Sequence, residues 1–194
     1  MRSTHGIRAL LAACTIASAA GCAASRGAAV NYHDPNMDFS LIQTVAVLPF
    51  ENLSSSERAG DAVRDVFMTM LQATGTIYVL PPGEVGRGID RAALDDPRKP
   101  SAEKIVQLGS ILSADVVITG TVREYGELRS GGSAAGVVSM SVQMHEAQTG
   151  RMVWSASTSE GGVSAGDRVF GGGGRPMDDV TRQAVADLLD KLFG

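Results

Sequence analysis

The hydrophobic period changes once along this chain, and that change restricts what it can fold into. Up to about residue 122, apolar residues come in short continuous runs separated by stretches of helical period. Between Val138 and Ala156 they alternate with polar ones, before a helical period returns at the end of the chain. Thr44-Val45-Ala46-Val47-Leu48-Pro49-Phe50 is a β-branched run closed by proline, the pattern of a strand buried on both faces. Val138, Met140, Val142 and Met144 instead alternate with Ser139, Ser141, Gln143 and His145, which puts one face of that strand in a core and the other in water. Strands of the first kind need helices on both sides of their sheet, whereas strands of the second kind follow one another through hairpins.

Between these strands the helices announce themselves. Ser54 with Glu57 fits a capping box, and Ala59, Val63, Val66, Phe67, Met70 and Leu71 then recur at three- and four-residue steps up to Gly75. Ile77-Tyr78-Val79-Leu80 predicts a second strand, stopped by Pro81-Pro82. Glu84 to Leu94 predicts a short helix or two turns, and Asp95 to Pro100 a charged loop. Ser101 caps a helix running to Leu112. A third strand starts at Val116 and runs as far as Tyr125. After the turn Gln148-Thr149-Gly150, Met152, Trp154 and Ala156 alternate through a fifth strand, with the only Trp of the chain in the core. Gly161 to Gly174, with seven glycines, predicts a mobile loop. Asp178 or Asp179 then starts a last helix with Val180, Ala184, Val185, Leu188, Leu189 and Leu192 inward. The expected order is β-α-β-α-β-β-β-α, an α/β domain with a mixed sheet flanked by helices.

The first 21 residues read as an export signal. Arg2 and Arg8 are its positive end, and the apolar stretch Ala9 to Ala17 is too short to cross a bilayer. Ser18-Ala19-Ala20-Gly21-Cys22 resembles the lipobox of bacterial lipoproteins, with small residues before a cysteine that accepts diacylglycerol. Leu11-Ala12-Ala13-Cys14 is a second candidate, and ordinary signal-peptidase cleavage near an A-x-A is a third reading. Cleavage before Cys22 leaves 173 residues and moves the net charge from −4 to −6, since the segment carries two Arg and no acid. It also leaves one cysteine, so no internal disulfide is expected in an oxidising compartment. Several acyl chains anchor stably where one is marginal. Ala23 stands where Asp would retain a lipoprotein at the inner membrane, so the outer membrane is expected. The expected organisation is a signal peptide over 1–21, an acylated cysteine and tether over 22–40, and one periplasmic domain over 41–194. Ala23 to Asp38, punctuated by Asp34-Pro35-Asn36, carries the tether and an exposed, ligand-free His33.

Chemistry is sparse. A net charge of −4 argues against a nucleic-acid partner, whose affinity comes from clustered Lys and Arg. Gly131-Gly132-Ser133-Ala134-Ala135 misses the last glycine of a nucleophile elbow and lies between strands. The Gly-rich loop has no G-K-[ST] to hold phosphate. Asp95-Asp96 suits a solvated loop, and Asp178-Asp179 suits a helix start. Asn52-Leu53-Ser54 spells a glycosylation sequon, which a bacterial export signal makes irrelevant. No catalytic residue, metal site or cofactor is expected.

Three motifs in order carry a family resemblance. Val45-Ala46-Val47-Leu48-Pro49-Phe50-Glu51-Asn52 followed by a helix resembles the opening of the TolB amino-terminal and curli-secretion (CsgG) domains. Ala114-Asp115-Val116-Val117-Ile118-Thr119-Gly120-Thr121-Val122 resembles their "A-D-x-x-(I/V)-x-G-x-(I/V)" strand. Gln148-Thr149-Gly150-Arg151-Met152-Val153-Trp154-Ser155 resembles their "T-G-(E/R)-(I/V)-(I/L)-W-S" hairpin, which also recurs in the Pel-polysaccharide export lipoprotein PelC and the penicillin-binding-protein activator LpoB. The resemblance implies an anticodon-binding-domain-like α/β fold and a non-enzymatic envelope lipoprotein that assembles with copies of itself or with an export machine. An LpoB-like monomeric regulator of a peptidoglycan synthase is the alternative. The curli channel builds its pore from long membrane hairpins. Here the 13 residues Gly126–Val138 and the Gly-rich loop leave little room for strands of about 9–11 residues. Ser139, Ser141, Gln143 and His145 form the candidate protein interface, because small or neutral side chains let a second chain approach without desolvating charge.

Overall fold

The computed structural model describes residues 31–130, 133–161 and 175–194. Cys14, Cys22 and the Gly-rich segment after Gly161 lie outside them. A seven-stranded mixed sheet is built from β1 (Asn31–His33), β2 (Thr44–Val47), β3 (Glu51–Asn52), β4 (Tyr78–Val79), β5 (Val116–Ser130), β6 (Ser133–Glu146) and β7 (Met152–Gly161). Its order is β1-β7-β6-β5-β2-β4, with β3 beside β5. β4, β2 and β5 are parallel to one another, whereas β5-β6-β7-β1 is antiparallel throughout. The change of period seen in the sequence is this change of strand direction.

Four helices flank the sheet: α1 (Ala59–Ala73), α2 (Pro82–Ala92), α3 (Ala102–Leu112) and α4 (Met177–Phe193). α1 and α4 cover one face. There Phe67 and Leu71 meet Val45, Val47 and Ile118, while Leu188 and Leu192 share the core with Met140, Met144 and Trp154. Trp154 is fully buried, as expected of a core indole. α2 and α3 cover the opposite face only around β2 and the start of β5, through Ala46, Leu48, Val85, Ile105, Leu108 and Val117. Among the described residues, the sheet is therefore sandwiched at one end and bare on one face at the other.

Several local expectations change. The capping box does not form: Ser54 Oγ donates to Asn52 Oδ1 at 2.7 Å, and α1 begins five residues later without a side-chain cap. Val66 and Met70 are only partly buried, and Met68 takes a core place instead. Ser101 caps α3 as its sequence suggests, with Lys104 N–H donating to its hydroxyl at 3.4 Å. Residues 31–33, assigned above to the tether, form β1 on the edge of β7. Asp34 locks that strand down, accepting from Arg151 Nη2, while its own N–H donates to Val153 O at 2.8 Å. His33 is exposed, as expected, and its Nε2 lies 2.9 Å from Lys191 O. The segment between Tyr125 and Val138 is not a loop either. β5 and β6 pair through Ser130 and Ser133.

Candidate interaction surface

β6 places its four alternate polar residues as the sequence pattern requires. Val138, Met140, Val142 and Met144 are fully buried, whereas Ser139, Ser141 and His145 are half-buried and Gln143 is exposed on the opposite face. Register extends this row across the sheet. Gln143 sits between Thr119 of β5 and Ser155 of β7, Ser141 lies between Thr121 and Ser157, and Ser139 pairs with Ser159. Tyr32 of β1 lies beside Ser155 and is exposed. The bare face is a field of hydroxyl and amide groups with an aromatic ring at its edge.

Where α3's leading loop overhangs β5, this face deepens into a groove of about 290 Å³. Thr119, Thr121, Arg123, Ser141, Gln143 and His145 form its floor, and Glu51, Arg98, Lys99 and Pro100 form its rim. Ser139 lies outside it. The groove departs from the expectation of a charge-free approach. Arg123 Nη1 donates to Ser141 Oγ at 3.0 Å, and Lys99 Nζ lies 2.6 Å from Glu51 Oε1. Arg98 Nε donates to Asp96 Oδ1 at 2.9 Å, and that hydrogen bond holds the Asp96 carboxyl below its ordinary value. The rim was invisible from β6 alone because it arrives from β3 and the charged loop. The rest of the floor had a signal in the I-T-G-T-V alternation of β5, which aligns Thr119 and Thr121 with Gln143 and Ser141.

Two features shape this floor. Gly120 exists because Phe50 lies across it: a Cβ there would meet the Phe50 ring at 2.7 Å. His145 closes the row at the β7 end, with Nε2 3.4 Å from Thr119 Oγ1 and Nδ1 buried without a partner. Burial pushes its pKa down, opposed by the backbone at Gly150. Gly150 itself turns the hairpin at φ +71° against the backbone of Ala102, where a Cβ would come within 2.5 Å. Among the described residues no group of three or more His, Cys, Asp or Glu side chains is placed to hold a metal ion, and no helix is long and apolar enough to cross a membrane.

Fold and surface define an α/β scaffold with one sheet face left open and polar. The chain belongs to the family described as the curli production assembly/transport component CsgG, which matches residues 20–174. Among solved structures it is similar to the PelC dodecamer from Paraburkholderia phytofirmans. The identity is 17% and the TM-score 0.57, over 85% of this chain and 98% of that one. It is also similar to lipoprotein GNA1162 from Neisseria meningitidis, at 18% identity and a TM-score of 0.56 over 77% and 97% of the two chains. The LpoB C-terminal domain from Escherichia coli is a looser likeness, 13% identical with a TM-score of 0.47 over 60% and 81%. At these identities the likeness is one of fold. No curated protein sequence matches the chain.

Proposed function

We propose that this chain is a non-enzymatic assembly or export component of the bacterial envelope, held at the periplasmic face of the outer membrane by an acylated Cys22. It acts by docking another envelope protein on the bare face of its sheet. Membership of the CsgG family supports the envelope role. The observation that carries the docking role is the uneven cover of the sheet. α1 and α4 cover one face, but α2 and α3 leave the other open over β5, β6 and β7. The groove on this face is small and lined by polar and charged groups. Small-molecule pockets are commonly about 300–1,000 Å³ and mostly apolar. Rows of hydroxyls flanked by paired charges suit a polar, water-bridged protein contact instead.

Replacing Ser141 and Gln143 with Lys tests this. Both side chains point away from the core, so the melting temperature should stay close to wild type, as for surface substitutions within about 0.5 kcal/mol. Two ammonium groups beside Arg123 should abolish cross-linking to the envelope partner in intact cells. A double variant that keeps the same cross-linked species overturns the assignment of this face.

A further inference from the structure

β5 and β6 outrun the rest of the sheet. β2 covers the outer edge of β5 from Val116 to Ile118, and β3 covers it at Thr121 and Val122. Leu53 N–H closes that run, donating to Val122 O at 2.8 Å. From Glu124 to Ser130, β5 pairs only with β6 among the described residues, and β7 stops opposite Val137. A two-stranded ribbon is marginal by itself in water, and an open strand edge is a template for another strand.

The bulge between Val122 and Glu124 decides which backbone groups face that open edge. Val122 presents its carbonyl outward to Leu53. One extra residue inverts the alternation, so beyond the bulge Tyr125, Glu127 and Arg129 present their N–H and C=O groups outward. Leu128 stands between the last two and is 53% exposed, unusual for a leucine on a polar arm. The Glu127 carboxylate and Arg129 guanidinium lie 3.8 Å apart on one side of the strand, both exposed. An acid, an apolar residue and a base in succession are complementary to the same three residues running the other way.

We propose that the open edge of β5 pairs antiparallel with the same edge of a second copy of this chain, about a two-fold axis at Leu128. In that register Glu127 lies opposite the partner's Arg129, and Arg129 lies opposite the partner's Glu127. Both residues face outward, so each pair exchanges its backbone hydrogen bonds while the side chains meet as opposite charges. Leu128 meets the partner's Leu128 in the closer, non-hydrogen-bonded pair, which covers both. The arm leaves Ser141, Gln143 and His145 unobstructed, so self-pairing and partner docking succeed or fail separately.

The test uses the full chain extracted in detergent, with its mass read by sedimentation. The wild-type chain should be a dimer. Glu127→Arg and Arg129→Glu each turn two attractive cross-strand pairs into repulsive ones, and each should weaken the dimer by about tenfold or more. Mixing the two single variants restores opposite charges in a heterodimer, and the double exchange Glu127→Arg, Arg129→Glu restores them in a homodimer. Leu128→Cys should form an intermolecular disulfide above the wild-type background, because the two Cα atoms come to about 4.5 Å. A monomeric wild type, single variants of unchanged mass, failure of both the mixture and the double exchange to recover the dimer, or no Leu128→Cys cross-link overturns the proposal.

Discussion

His145 carries the tightest coupling between the sheet face and the stability of the fold. Its ring ends the polar row of β6, and burial disfavours its charged form. An unfolded chain protonates this residue near pH 6.5, so below that value the unfolded state takes up a proton that the folded state resists. Stability contributed by the neutral ring is present above pH 6.5 and is lost as pH falls towards the depressed folded value. Asp34, Asp38 and Asp96, whose pKa values hydrogen bonds hold low, stay ionised throughout that window and act only at more acidic pH. The melting temperature should therefore drop between pH 7.5 and 5.5, and His145→Asn should drop measurably less. Equal slopes for the two proteins would show that His145 charges freely in the folded state.

At the scale of elements, segments with a period or with a proline at their end were legible in the sequence, and the shortest segments with neither were not. β6 was plain because four buried residues alternate with four polar ones, and α3 was plain because Ser101 marks its start. β3 has two residues and β1 has three, too few for a period to show, whereas the equally short β4 was legible because the run Ile77-Tyr78-Val79-Leu80 is stopped by Pro81-Pro82. The far half of the β5–β6 hairpin was hidden for another reason. Gly126, Gly131 and Gly132 look like loop, while the pairing that makes a ladder is supplied by the opposite strand. Of the candidate surface, β6's polar row was visible, but the groove's charged rim depends on strand register. β1 illustrates how tertiary contacts create an element. Three residues gain a place in the sheet because buried Asp34 accepts from Arg151 and from Asn36 N–H. Asp34→Ala removes both of these hydrogen bonds to a charged group. Amide exchange at Asn31–His33 should then quicken about tenfold or more, with α4 and β6 unchanged. Uniform loosening of the whole domain would show that β1 does not open as a separate unit.

Across the whole molecule, with the anchor proposed at Cys22, the docked β1 would set how far the folded body can stand from a membrane. Only eight residues separate Cys22 from Asn31, and eight residues span at most about 30 Å fully extended. A tether running to Asp38 would have allowed about 50 Å, so the strand brings the sheet edge carrying Tyr32 closer to the lipid. The proposed acylation of Cys22 is motivated by Ala20-Gly21-Cys22 after a short apolar stretch. Under that proposal, diacylglycerol on the Cys22 thiol, joined by a further acyl chain, would bury enough methylene groups to anchor the domain stably. Cys22→Ser removes the acceptor sulfur while Cys14 remains in the signal. The variant should accumulate as unprocessed precursor or as soluble protein, and the mass of the wild-type chain should show lipid on its first residue. A variant that still fractionates with the outer membrane, carrying lipid at Cys14, would move the anchor eight residues upstream and lengthen the maximum reach by about 28 Å.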